Sequence, residues 1–168
     1  MKNLLGIYEK ALPSALSWPQ RLEEAKAAGF DFLEISIDES DERLERLKWS
    51  SSLRRELRHA CEEICMPLDS MCLSGHRKYP LGSSNPEIEA RSLSIMQEAL
   101  ALAADLGVRI IQMAGYDVYY EESNQIRVHD FFQIWKNVQR WLLPTESSLP
   151  WKRWKHLFAI LSKRQWTL

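Results

Sequence analysis

The sequence predicts an α/β fold in which about four parallel strands, each followed by a helix, bring their polar ends to one functional face. Three observations predict it. Four strand-like runs, Leu4 to Lys10, Phe32 to Glu39, Leu68 to Lys78 and Ile110 to Asp117, each end in polar or small residues. Helical stretches separate them at a rhythm of about 35 residues, the span of a βαβ unit. Each of those stretches stops at Gly or Pro, which lets the chain turn back into the next strand. The pattern is lost after about Asn124, and the remainder reads like a different protein.

Taken in order, Leu4 to Tyr8 is a short buried strand. Ser17-Trp-Pro-Gln-Arg-Leu-Glu then opens a helix over residues 17 to 28, with Ser17 as N-cap and Pro19 in the first turn. Gly29 stops it. Phe30 to Ile37 is rich in strand formers, with Glu34 and Ser36 on the same side. Ser50 to Cys65 is the second helix, with Leu53, Leu57, Cys61 and either Ile64 or Cys65 on one stripe, and Met66-Pro-Leu ends it before the third strand. Pro86 to Leu106 is the third helix, with Ile88, Leu93, Met96, Leu100 and Ala103 facing inward and Gly107 as its stop. Val108 to Ala114 is the fourth strand. No fifth βα unit is legible in residues 125 to 168, where five of the seven tryptophans fall and the segment from Trp151 onward has five Lys or Arg and no acid. Trp151-Lys-Arg-Trp-Lys-His-Leu-Phe has the pattern of a basic amphipathic stretch that meets a membrane surface or a partner.

A chain of 168 residues supports one domain with a proper core. It is short of the about 250 residues that a complete (β/α)8 barrel takes, so either the fold is smaller or the barrel is unfinished. A formal net charge of -1 and a pI near 6.4 give no general attraction to nucleic acid or an anionic membrane, which favours small-molecule chemistry. Cys61, Cys65 and Cys72 form neither an even disulfide set nor a C-x-x-C pair, so a reducing compartment is expected. With no apolar run of signal-peptide or membrane-spanning length, the expected location is the cytoplasm.

Candidate site residues lie at the strand ends. Glu34, flanked by Leu33 and Ile35, is either a carboxylate that bonds a sugar hydroxyl or orients a metal ligand, or an interior Glu paired with a neighbouring base. Ser74-Gly-His76-Arg77-Lys78 is the sharpest cluster. Gly75 lets the backbone approach a ligand, and the three side chains after it offer cationic or hydrogen-bonding groups suited to a phosphorylated or polyhydroxylated substrate. Gln112 and the turn Ala114-Gly-Tyr116-Asp117 end the fourth strand; the amide either bonds a substrate hydroxyl or is satisfied by neighbouring backbone. Tyr8, next to Glu9, either walls a sugar face or caps the core. Asp38-Glu39-Ser-Asp41-Glu42 reads as a solvated loop and helix start, and His59, His129 and His156 receive no role.

Gly6-Ile-Tyr-Glu-Lys-Ala-Leu, Gly29-Phe-Asp-Phe-Leu-Glu-Ile-Ser-Ile-Asp-Glu, Ser70-Met-Cys-Leu-Ser-Gly-His-Arg-Lys-Tyr-Pro-Leu-Gly and Ile111-Gln-Met-Ala-Gly-Tyr-Asp-Val-Tyr-Tyr resemble the L-ribulose-5-phosphate 3-epimerases, also called L-xylulose-5-phosphate 3-epimerases and, under an older name, hexulose-6-phosphate isomerases. The resemblance covers Leu5 to about Glu122 in order and with the same spacing. It implies a xylose-isomerase-like TIM barrel from the bacterial degradation of L-ascorbate, with only about the first four βα units present, in residues 1–124. It also implies a divalent metal that holds the keto and neighbouring hydroxyl oxygens of a pentulose phosphate while two glutamates exchange the C3 proton on opposite faces. Tyr8, Glu34, His76, Arg77 and Gln112 are then the substrate-side candidates. No catalytic residue or metal ligand can be carried over, because the family's ligands, two Glu, one Asp and one His, all come from the second half of the barrel.

Where the family has a fifth strand resembling Ala-Met-Glu-Ile-Met-Asp, this chain has Ser148-Leu-Pro-Trp-Lys-Arg-Trp. With codons CTG-CCA-TGG-AA assumed for Leu149-Pro-Trp-Lys, a shifted frame reads GCC-ATG-GAA, or Ala-Met-Glu, which points to a frame change near residues 123 to 130. Natural divergence of residues 125–168 is the alternative. The expectation is an epimerase half-barrel with little or no activity of its own and an uncovered core that self-associates. A non-catalytic sugar-phosphate-binding half-barrel is one rival. A phosphodiesterase on abasic DNA, which shares the superfamily fold, is the other, though the basic groove and metal set it needs are not visible.

Overall fold

Five parallel strands lie side by side in chain order: β1 (Gly6–Tyr8), β2 (Phe32–Ile37), β3 (Leu68–Leu73), β4 (Ile110–Ala114) and β5 (Phe158–Ser162). The computed structural model describes residues 3–127, 129, 131–133 and 136, together with the backbone of β5. The tryptophans at 135, 141, 151, 154 and 166 and the basic stretch 151–157 lie outside the described residues. A strand at Phe158–Ser162 is an element that the sequence reading does not contain.

The helices form where the sequence places them. α1 (Trp18–Ala27) starts at Ser17, whose backbone N–H donates to Gln20 Oε1 at 2.9 Å, and ends before Gly29 at φ +86. A short α2 (Asp41–Glu45) is capped by the Ser40 hydroxyl, which accepts from Arg43 N at 3.3 Å. α3 (Ser51–Ile64) is capped in the same way by Ser50 and ends on Cys65, a non-glycine residue at φ 55. α4 (Pro86–Leu106) runs from the Asn85 cap to Gly107 at φ +80. α1 packs on α3 and α3 on α4, so the helices make one layer.

Side chains alternate across the sheet. Leu33, Ile35, Ile37, Met71, Leu73, Ile111 and Met113 are buried in the cluster shared with Leu22, Leu57, Met96 and Leu100 of the helices. Two stripe assignments shift. Leu53 is 38% exposed and Cys65 is exposed, because α3 presents only Leu57 and Cys61 fully to α1 and α4. Ile88 and Leu93 are half-buried, with Ser92, Ile95 and Ala99 taking the inner positions on α4. The Phe32 ring lies over Gly6, where a Cβ would stand 2.2 Å from it, so a larger residue at this position would have to displace the ring.

Candidate functional site

The opposite face of the sheet carries a polar row. Register places Tyr8 beside Glu34 and Glu34 beside Ser70, and, one layer nearer the strand ends, Ser36 beside Cys72 and Cys72 beside Gln112. Equal parity along parallel strands puts these six side chains on one face. Ser70 Oγ donates to Glu34 Oε2 at 2.7 Å, and the Tyr8 hydroxyl shares a hydrogen bond of 2.8 Å with Ser36 Oγ. Burial raises the Tyr8 pKa, and burial followed by the Glu34 charge raises that of Cys72. Both groups therefore stay protonated at neutral pH and offer hydrogen-bond donors to whatever lies on the face.

The loops at the strand ends are tied to one another. Lys10, after β1, pairs with Asp38, after β2. Burial alone would raise the Asp38 carboxyl, but hydrogen bonds from Lys10 and Ser40 outweigh it and bring it to about 2. The Tyr120 hydroxyl, beyond β4, reaches Glu39 at 2.9 Å. Arg77, after β3, lies 5.1 Å from the centroid of the Tyr119 ring, which is 5.0 Å from that of Tyr116.

The structure thus brings Tyr8, Glu34 and Gln112 to the open face and Arg77 to its rim. It does not bring His76 there. His76 is 5% exposed, with Nε2 3.1 Å from the Ser92 carbonyl of α4, and burial lowers its pKa to about 4. Of the three side chains expected to offer cationic or hydrogen-bonding groups here, Arg77 and Lys78 are the exposed cations. His76 is a neutral ring under the turn, while Lys78 is exposed and pairs with Asp41 at 3.3 Å.

Glu9 is the residue whose role the sequence did not reveal. It is fully buried at the end of β1, where it accepts from Arg46 Nη1 at 2.6 Å, Arg21 Nη1 at 3.2 Å and Ser36 N at 2.5 Å, with Arg43 Nη1 2.6 Å away. Arg46 lies over the rings of Trp18 at 5.2 Å and Trp49 at 5.6 Å, so the cluster clamps α1, α2 and the first two strands around one carboxylate. Charged side chains are rarely buried to this degree without such partners. Among the described residues no group of three or more His, Cys, Asp or Glu side chains could hold a metal ion. The described residues therefore offer no ligand set for the divalent metal that the resemblance implies. No described helix is long and apolar enough to cross a membrane.

Parallel strands in chain order, helices on one side and a polar row on the other define part of a barrel of the (β/α) class. The family model of the xylose isomerase-like TIM barrel matches residues 22–140, and the chain belongs to that family. It is 54% identical over 120 residues to the L-ribulose-5-phosphate 3-epimerase UlaE of Escherichia coli O139:H28, an alignment that covers 71% of this chain and 42% of that protein. The same figures hold for UlaE of Shigella boydii serotype 18. The chain therefore spans less than half the length of these relatives and matches an N-terminal portion of the epimerase. A crystal structure of D-psicose 3-epimerase from Clostridium cellulolyticum H10, solved with D-tagatose, superposes with a TM-score of 0.67 at 18% identity and covers 82% of this chain and 48% of its own. A structure of L-ribulose 3-epimerase gives 0.61 at 19% identity, over 83% and 46%. These two likenesses bear on the fold.

Proposed function

We propose that this chain is the substrate-holding part of an isomerase that interconverts L-ribulose 5-phosphate and L-xylulose 5-phosphate by removing and returning the proton at C3. The observation that carries the reading is the 54% identity over 120 residues to UlaE. In this reading Tyr8 and Gln112 bond substrate hydroxyls, Glu34 orients them and Arg77 takes the charged end. His76 fixes the turn that carries Arg77 through its contact with Ser92. Residues 1–124 carry the first four strands of the family barrel, and of 125–168, which reads as a divergent tail, the strand Phe158–Ser162 joins the sheet beside β4. The enzyme works in the cytoplasm on a route that degrades L-ascorbate, with a divalent metal held by the portion that the relatives have beyond this match.

Proton removal next to a carbonyl needs a base and a group that stabilises the enediolate, and groups acting as a unit lose nearly all rate together. The open face and the free side of β1, near the exposed Leu4 and Leu5, support self-association of the chain as given. The test follows interconversion of the two pentulose phosphates with added Mn, Zn or Mg. It compares this chain with a version whose reading frame is restored after residue 123. Metal-dependent turnover by the restored version alone is expected. Equal turnover by both would overturn the assignment of the chemistry to the other portion, and none by the restored version would overturn the epimerase reading.

A further inference from the structure

β1 is three residues long and its last pairing sets Tyr8 beside Glu34, so two residues further along β2 the main chain of Ser36 has run past the end of its neighbour. A buried N–H and carbonyl at such a place need partners. Side chains supply them: the Ser36 N–H donates to Glu9 Oε1, and the Ser36 carbonyl accepts from Arg46 Nη1 at 3.3 Å. Arg46 Nη1 also donates to the same Glu9 oxygen at 2.6 Å, so carboxylate, guanidinium and strand close into one ring. The Glu9 clamp thus ends on Ser36.

The side chain of Ser36 belongs to the open face, is fully buried, and shares a hydrogen bond of 2.8 Å with the hydroxyl of the half-buried Tyr8. Adjacent residues therefore hold the same serine, Glu9 at its main chain and Tyr8 at its hydroxyl. Burial raises the Tyr8 pKa, and the Ser36 hydrogen bond is the next influence on that phenol, ahead of Cys72 and Lys10. A thiol is a weak hydrogen-bonding group, so Ser36 is the neighbour that can fix where the phenol oxygen sits.

We propose that Ser36 is a positioning residue for Tyr8. It carries the rigidity of the buried Glu9 and Arg46 pair to the Tyr8 hydroxyl and holds that hydroxyl where it meets an oxygen of the substrate. A group fixed before the ligand arrives has less freedom to lose on binding. Ser36 acts through Tyr8 and does not touch the substrate. The proposal rests on the reading of the open face as the substrate side of an epimerase, and it explains why the Glu9 clamp stands directly behind that face.

The experiment measures binding of L-ribulose 5-phosphate to the full chain by calorimetry for the parent, Ser36→Ala, Tyr8→Phe and the double variant. Ser36→Ala keeps the N–H and carbonyl that Glu9 and Arg46 hold, and thermal melts confirm that each variant folds. Ser36→Ala and Tyr8→Phe should each weaken binding about fivefold, the worth of one hydrogen bond, and the double variant should lose no more than Tyr8→Phe alone. Ser36→Thr keeps a hydroxyl and should bind as the parent does. A Ser36→Ala loss of equal size with and without the Tyr8 hydroxyl is what a merely structural role gives, and it would overturn the proposal while leaving the epimerase reading standing. So would parent-like binding by Ser36→Ala, or a loss in Ser36→Thr that equals the loss in Ser36→Ala. A second readout needs no ligand: the Tyr8 ring-proton NMR signals, assigned through Tyr8→Phe, should move in Ser36→Ala, and signals that stay in place would show that Ser36 does not hold the ring. A parent that binds no L-ribulose 5-phosphate would overturn the substrate reading, and the ring signals would still decide whether Ser36 positions Tyr8.

Discussion

Lowering the pH should destabilise this protein through a single ring. His76 is buried against α4 as a neutral imidazole, its pKa pushed down by burial from 6.5 to about 4, with the Ser92 carbonyl opposing the shift. In the unfolded chain the same ring titrates near its ordinary value. Between those two pH values the unfolded state binds the extra proton, so stability is full above the ordinary histidine range and falls as the pH drops toward 4. The whole shift is worth roughly 3 kcal/mol, and about 2 kcal/mol of it is lost between about pH 7 and about pH 5. Urea unfolding followed by far-UV circular dichroism at several pH values across that range measures the loss. The comparison is His76→Gln, whose amide can still donate to Ser92 but does not titrate. His59, exposed and 3.5 Å from Glu63, and the exposed His129 are common to both proteins, so their contribution cancels in the difference. A parent whose midpoint is flat across this range, or a variant with the same slope as the parent, would refute the reasoning.

Two further substitutions probe how the first strand is held. Glu9→Gln removes the charge that neutralises Arg21, Arg43 and Arg46 and should cost about 3 to 5 kcal/mol, because two buried cations and the half-buried Arg43 are left facing a neutral amide; a loss below about 1 kcal/mol in urea unfolding would show that the clamp is not what seats β1. Gly6→Ala drives a methyl group into the Phe32 ring at 2.2 Å and should cost about 1 to 3 kcal/mol. Adding Phe32→Leu should restore part of that loss, and strict additivity of the two changes would contradict the proposed collision.

The first four strands and the helices α1, α3 and α4 were legible in the sequence because their signals are local, whereas β5 was not. Ser17, Ser50 and Asn85 start helices and Gly29 and Gly107 stop them, and each of these acts within a turn or two of its own position. Leu33, Ile35 and Ile37 announce a face by alternation alone. Glu34 and Gln112 could be placed on the same side for the same reason. What stayed hidden depends on contacts between segments far apart in the chain. The partners of Glu9 stand between 12 and 37 residues away and share no spacing rule with it. His76 sits in a turn of polar residues that reads as facing a substrate, and only the passage of α4 over it, 16 residues later, makes it part of the core. The distances that matter at Arg77 run to Tyr119, a residue in the loop of the next strand, so the sequence supplied the cation but not the rings that aim it.

The chemistry of the open face also limits what this portion can contribute. Inversion by two bases requires one on each side of the reacting carbon, each with a lone pair free to take the proton. Tyr8 and Cys72 are held protonated by burial, so they donate. Glu34 accepts from Ser70 through one oxygen at 2.7 Å, and the register keeps it on the same face of the sheet as every other member of the row. One face of one sheet supplies at most one of the two directions of attack, whatever metal is present. On the proposed epimerase reading the row on β1 to β4 therefore serves to orient the substrate, and the opposing base has to come from across the barrel, on strands that face this row.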